Sequence, residues 1–367
     1  MSDFTHLRVA VVGPLAPPAG GMANQTRQLA ELLRADRAIV ETVRTNAGYR
    51  PALAGRVPVI RAAFRLVPYL LALWRAAGRN DVFHVMANSG WAWHLFAAPA
   101  IWIAWARRVP AVVNYRGGEA AAFLARAGRC VRWTLQRSAG VVVPSSFLQS
   151  IFQARGIPSQ VLPNVVDLAR FRPRDGVPGV GAHLVVTRNL EPIYDNATAL
   201  RAFASILKLR PDARLTIAGS GPDEAHLRDV AATLGVGDRV RFAGMLEREA
   251  MAVLYRDADV CLNSSLVDNA PNSLLEALAS GVPVVSTNVG GVPSLVEHER
   301  TALLVPPQDP PAMADAVLRL LGDAALRERL VRAGLQHVQR HTWAQVAPLL
   351  ALTYRAALAS AAATARA

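Results

Sequence analysis

Residues 8–12 form a short β-branched apolar run that stops at Gly13-Pro14. A Pro/Gly loop then leads to Gly20-Gly21, and a helical pattern follows from about Asn24 to Leu33. A strand, a glycine loop and a helix in that order open a Rossmann-like unit. Apolar runs at 82–85, 111–114 and 141–143 follow, separated by helical stretches, as parallel strands joined by crossover helices require. Between residues 171 and 182 the pattern gives way to Arg-Pro-Arg-Asp-Gly-Val-Pro-Gly-Val-Gly, a linker composition. It then restarts, with strands expected at 183–187, 214–218, 239–242, 259–262, 283–286 and 302–305. The prediction is an α/β chain of two Rossmann-like domains, 1–175 and 176–345. A C-terminal helix and tail, 346–367, is expected to pack back on the first domain. Ligands of such sheets bind beyond the strand C-terminal ends, here expected to face a central cleft.

Composition narrows the classes. Of 367 residues, 52% are hydrophobic and 18% charged, which excludes a disordered or fibrous chain. Cys130 and Cys261 fall far apart in segments that read as buried, so neither a disulfide framework nor a zinc cluster is expected, and a reducing compartment fits. The net charge of +13 resembles a nucleic-acid footprint. All but one (Lys208) of the 40 cations are arginines, however, and they are scattered without a block. Anionic small ligands, or a basic face meeting acidic lipid or polysaccharide, fit this better than nucleic acid.

The N-terminus shows no secretory signal pattern, and the expected location is cytoplasmic. The apolar stretch 91–106 is too short to span a bilayer comfortably and reads as a buried helix. The stretch 56–75 mixes arginines, Arg56 among them, with Phe64, Tyr69, Leu70 and Trp74. It reads either as a helix covering the first sheet or as a peripheral contact with an anionic membrane at the inner face.

The segment from Asp268 to Thr287 carries the most chemistry. A loop precedes a helix expected to begin near Pro271, where proline is tolerated at the first position. The amides of Asn272, Ser273 and Leu274 would point out of that helix end, whose partial positive charge suits a diphosphate. Glu276, one turn in, could reach a ribose diol. Asp268, eight residues earlier, could hold sugar hydroxyls. Gly281 ends the helix before the next buried strand.

This segment resembles the acidic-x7-acidic signature of the retaining family-4, group 1 glycosyltransferases of GT-B fold. Their continuation is matched from Ala279 through Gly290-Gly291-Val292-Pro293 to Val296. Further matches follow in order: Leu162–Asp167 with Phe171-Arg172-Pro173, the strand end 186–190, Leu215–Pro222, and Val240–Gly244. The resemblance covers residues 8 to about 340.

It implies transfer of a sugar from a nucleotide-diphosphate donor to an acceptor hydroxyl with retention, without a metal or other cofactor, in glycan, polysaccharide or glycolipid assembly. Partners would be the nucleotide sugar and a glycan or lipid-linked acceptor. Catalytic roles fall on His84 near the transferred sugar, Arg188 at the diphosphate, Asp268 at the donor sugar and Glu276 at the ribose. Gly20 and Gly21 would approach the diphosphate, Gly219 would lie at a strand end beside it, and Phe242 to Met245 would meet the base. Arg116-Gly117-Gly118-Glu119 resembles an acceptor-side turn.

Four positions depart from the family pattern: Asp268 replaces glutamate, Tyr194 a second phosphate-binding cation, Pro271 a glycine, and Met86 a second histidine. They motivate an alternative, a non-catalytic nucleotide-sugar-binding relative acting as sensor or scaffold. Asp257-Ala258-Asp259 imitates a metal-binding D-x-D, but its place at a helix end before a strand reads as structural.

Overall fold

The computed structural model describes residues 4–17, 20–47, 58–175 and 181–366, with backbone only at 58–64 and 364–366. Arg56, the Phe64 side chain and the linker residues 176–180 lie outside the described part. Two compact units result. One comprises Met1–Pro163 with Val346–Ala367, the other Asn164–Gln345.

The first unit holds a six-stranded parallel sheet of β1 (Arg8–Gly13), β2 (Ile39–Arg44), β3 (Val82–Ala87), β4 (Ala111–Tyr115), β5 (Gly140–Val143) and β6 (Gln160–Val161). Their order is β2-β1-β3-β4-β5-β6. The connections run through α1 (Gly21–Ala35), α2 (Pro58–Ala77), α3 (Ala98–Ala106), α4 (Ala120–Leu135) and α5 (Ser146–Gln153). β1, β3 and β4 are buried almost throughout and read as apolar runs. The edge strand β2, Ile-Val-Glu-Thr-Val-Arg, is half-exposed and mixed in polarity, so the apolar pattern does not predict it.

The second unit repeats the scheme with β7 (His183–Val186), β8 (Arg214–Ala218), β9 (Val240–Gly244), β10 (Val260–Asn263), β11 (Val284–Thr287) and β12 (Leu303–Val305), in the order β12-β11-β10-β7-β8-β9. Its helices are α6 (Asn196–Leu209), α7 (Glu224–Thr233), α8 (Arg248–Asp257), α9 (Asn272–Ala279), α10 (Val292–Leu295), α11 (Pro310–Gly322) and α12 (Ala324–Val338). The last helix, α13 (Trp343–Arg366), returns from Val346 to the first unit.

Residues 164–175, grouped by the sequence with the first half, pack with the second. Val166 and Phe171 join a core with Tyr255, Leu274 and Leu278, and Asn164 Nδ2 donates to the Ala270 carbonyl at 2.8 Å.

The stretch 91–106 differs from its expectation as a buried helix. A π-helical turn (Trp93–Ala97) leads into α3, and only one face is covered, with Trp93, Ala100, Ile101 and Ala104 inside while Trp91 and Trp105 stand exposed.

In each sheet the chain order reverses once: between β1 and β3 in the first, between β7 and β10 in the second. The loops leaving the strand C-terminal ends on either side of such a reversal form the ligand crevice of open α/β sheets.

Candidate functional site

In the second unit the reversal point is flanked by the loop after β7, which carries Arg188, and the loop after β10, which carries Asp268. Arg188 Nη2 and Asp268 Oδ2 form an ion pair at 2.8 Å, both largely shielded. The guanidinium also lies over the Tyr194 ring, 4.1 Å from its centroid. Its Nη1 reaches Ser273 Oγ in the first turn of α9 at 3.5 Å, while Nε is buried without a hydrogen-bond partner. Tyr194 thus supplies a ring that holds the Arg188 guanidinium in place.

Asp268 accepts from Ser265 Oγ at 3.1 Å and from the Asn269 amide at 3.1 Å. Burial still pushes its carboxyl above the usual range, against the pull of Arg188.

The loop geometry rests on three glycines. An added Cβ at Gly290 (φ +52°) would stand 2.2 Å from the Asp268 carbonyl oxygen. One at Gly291 would stand 1.9 Å from that of Asn269, and one at Gly219 2.1 Å from that of Arg188. Gly219 therefore serves backbone packing, and its amide donates to the Gly244 carbonyl at 2.9 Å. Leu266 N donates to the Ile193 carbonyl and Ser264 Oγ to that of Tyr194, which ties the acidic loop to the loop beside Arg188.

α9 begins at Asn272, with Pro271 as its cap residue and no side-chain cap. The Leu274 amide donates to the Pro271 carbonyl at 3.2 Å, so it is spent within the helix. This corrects the expectation of three outward donors to the amides of Asn272 and Ser273. Glu276 is half-buried on the same helix, and burial raises its carboxyl to about 7 while Arg248 and Arg188 oppose the rise. Phe242 is half-buried under the Arg228 guanidinium (4.4 Å), and Met245 is exposed just beyond β9.

Several supports carry no signal in the sequence. The buried Tyr255 hydroxyl donates to the Ser273 carbonyl at 3.1 Å and accepts from Thr187 Oγ1 at 2.7 Å, joining the end of β7 to the start of α9. Thr287 Oγ1 donates to the Ser265 carbonyl at 2.6 Å. These are single hydroxyls meeting backbone at long sequence separation, and no spacing announces them.

In the first unit, His84 differs from its expected catalytic role. Its side chain is 0% exposed. Asn114 lies 3.0 Å from Nε2 and Tyr354 of α13 lies 2.9 Å from Nδ1. Arg116 Nε donates to Asn114 Oδ1 at 3.1 Å, which turns the amide Nδ2 toward the imidazole. That orientation makes Nε2 the acceptor and Nδ1 the donor. Burial depresses the imidazole to about 3, so it stays neutral. His84 is a core histidine with both nitrogens engaged. Arg116, pushed down to about 10 by burial, also donates to Gln25 Oε1 of α1 and spans from β4 to the helix that follows the glycine loop.

Gly20 caps α1 and Gly21 begins it, and a Cβ on either would meet nothing within 4 Å. The D-x-D look-alike is spent on structure: Asp257 pairs with Arg214 and His183, and Asp259 with Arg174.

Comparison with known proteins agrees with this construction. The family model for glycosyltransferase family 4 matches residues 19–170, and that for glycosyl transferases group 1 matches residues 182–323. D-inositol 3-phosphate glycosyltransferase of Saccharomonospora viridis is 33% identical over 212 residues, 53% of this chain and 49% of that protein. Its counterpart in Acidothermus cellulolyticus is 34% identical over 217 residues, 54% and 48%. The chain thus spans about half the length of the curated relatives it matches.

Among solved structures, sucrose-phosphate synthase from Thermosynechococcus elongatus superposes with a TM-score of 0.78 at 23% identity, covering 97% of this chain and 100% of that one. Anabaena HepE in complex with UDP-glucose does so with a TM-score of 0.75 at 17% identity, covering 95% and 99%. At these identities the likeness speaks for the fold. The two family models, matched in succession along two six-stranded Rossmann-like halves, show that the chain belongs to the family-4, group 1 glycosyltransferases of GT-B fold.

Proposed function

We propose that the chain transfers a sugar from a nucleotide-diphosphate donor to an acceptor hydroxyl with retention of anomeric configuration. The observation that carries the proposal is the group at the β7/β10 reversal point, where the Arg188 guanidinium lies between the Asp268 carboxylate and the uncapped start of α9, with Glu276 one turn further on. A diphosphate placed there meets the Arg188 donors and the amides of Asn272 and Ser273, which neutralise negative charge as it leaves. Glu276 accepts from the ribose hydroxyls and Asp268 from those of the sugar.

In the reaction the bond from the anomeric carbon to the phosphate oxygen breaks, its electron pair leaving with the nucleoside diphosphate. The acceptor oxygen bonds the same face of that carbon, and the acceptor proton passes to the departing phosphate. These roles need charge neutralisation and positioning, and they are assigned to protein groups without a metal. HepE, of the same fold, holds UDP-glucose, which supports a nucleotide sugar as donor class. The proposed setting is cytoplasmic glycan, polysaccharide or glycolipid assembly, with a glycan or lipid-linked acceptor.

One observation favours a second reading, a non-catalytic binder acting as sensor or scaffold. Arg188 and Asp268 already neutralise each other, and Tyr194 supplies no second cation.

A thermal-shift screen against UDP, GDP, ADP and their sugar conjugates, with Glu276→Ala as control, tests the site. Stabilisation by one nucleotide family, lost in the variant, supports the donor assignment. No stabilisation of folded protein by any of them overturns it. Donor binding without transfer to any of a broad acceptor panel favours the second reading.

A further inference from the structure

The first unit carries a strip of side chains that its core leaves uncovered. α2 buries Tyr69, Leu73 and Ala76, and on its other side it presents Val67 (55% exposed), Leu70, Leu71 (51%) and Trp74 (49%) to solvent. These positions are spaced i, i+3, i+4, i+7, one stripe of a helix, where a surface helix ordinarily carries polar residues.

α3 and α4 extend the strip by contact. The Arg107 guanidinium lies 4.7 Å from the Trp74 ring centroid. Arg137 lies over Trp102 at 4.1 Å and Trp133 at 4.2 Å, and 5.4 Å from Trp105. The Trp102 and Trp133 rings are 4.5 Å apart, and Trp105 and Trp133 are each 53% exposed. Residues 65–137 contain ten arginines against two acids, Asp81 and Glu119, and Asp81 is paired with Arg8.

We propose that this strip of α2, α3 and α4 is a docking surface for an anionic lipid bilayer. The aliphatic and indole groups match the boundary between headgroups and acyl chains, and the arginines match lipid phosphates. Stacking keeps each guanidinium beside an indole, so charge and apolar surface reach the interface together. Nucleic acid would engage the arginines and indoles but leaves Val67, Leu70 and Leu71 without a complement. The proposal is independent of the transferase reading, since vesicle binding and donor binding are measured separately.

The test is co-sedimentation of the full chain with vesicles of phosphatidylcholine alone or mixed with phosphatidylglycerol, with tryptophan emission followed in parallel. Anionic vesicles are expected to pellet the protein at low salt and shift its emission to the blue, and added salt should weaken both effects. Leu71→Ser with Trp105→Ser should abolish the blue shift. Arg107→Gln, at an exposed site, should weaken partitioning roughly fivefold while the melting temperature holds. The proposal is overturned if anionic vesicles fail to pellet the protein at low salt, or if folded variants partition like the parent. It is equally overturned if an oligonucleotide binds under conditions where vesicles do not.

Discussion

Arg188 and Asp268, eighty positions apart, meet at 2.8 Å where the second sheet reverses its strand order, and the Tyr194 ring closes over the guanidinium at 4.1 Å. The cation assigned to the diphosphate and the carboxylate assigned to the sugar are thus each other's counter-ion before any donor arrives. Removing one partner leaves the other shielded and unpaired, which costs about 3–5 kcal/mol. Arg188→Ala should therefore lower the melting temperature strongly and abolish donor stabilisation. Asp268→Asn should cost less, since the amide still accepts from Ser265 Oγ. Calorimetry of both variants with and without nucleotide checks this, and a parental melting temperature in Arg188→Ala would contradict the pairing.

Glu276 gives a pH signature. Its folded carboxyl sits near 7, above its ordinary value of 4.5, because burial disfavours the charge. For a raised value, the stability contribution is complete below the unfolded value and is lost as pH rises through the folded one. Glu276→Gln should thus match the parent near pH 4.5 and exceed it at pH 8 by about 2 kcal/mol, allowing for partial solvent screening. Donor binding should move oppositely, rising through pH 7 as the carboxylate that accepts the ribose hydroxyls ionises. Melting curves and nucleotide titrations at several pH values separate the two trends.

The glycines divide into two kinds by measurement. Gly291→Ala drives a Cβ into the Asn269 carbonyl and should cost about 2–3 kcal/mol by displacing the acidic loop, with donor binding lost as well. Gly21→Ala meets nothing and replaces a poor helix former, so it should stabilise by up to about 1 kcal/mol. If the glycine loop approaches the diphosphate, as the family resemblance implies, the same change lowers donor affinity, so stability and binding part company.

His84 should show no imidazole titration between pH 5 and 8 by NMR, since burial holds it to about 3. A depressed histidine loses its stabilising contribution as pH falls below the unfolded value near 6.5, where the unfolded chain takes a proton that the fold refuses. Tyr354→Phe strands Nδ1 and should cost about 1–3 kcal/mol. Transfer activity, measured where the variant is fully folded, should stay near the parental level.

The central strands of both sheets were legible because parallel strands buried on both faces are written as continuous apolar runs, as at 82–85 and 141–143. β2 was not, because an edge strand half in solvent tolerates Glu41 and Arg44. Arg188, Asp268 and Glu276 were visible as polar residues at strand and helix ends, but their mutual pairing was not, since distance in space has no spacing in sequence. His84 misled for the same reason. The family resemblance implies a place near the transferred sugar, while the partner that occupies Nδ1 lies 270 positions away.

That distant partner bears on how the chain is made. The first unit is interrupted by the second, whose entry and exit are fastened to each other: Val166 N donates to the His341 carbonyl at 2.8 Å, and His341 Nδ1 meets the Asn164 carbonyl at 3.0 Å. On the ribosome, the inserted unit has all its residues by Gln345 and is free to fold first. The first unit, begun earlier, waits with Phe4 and His84 uncovered until the helix bearing Tyr354 emerges. Its completion thus waits on that last segment, and its half-made state is the one a chaperone or protease would meet.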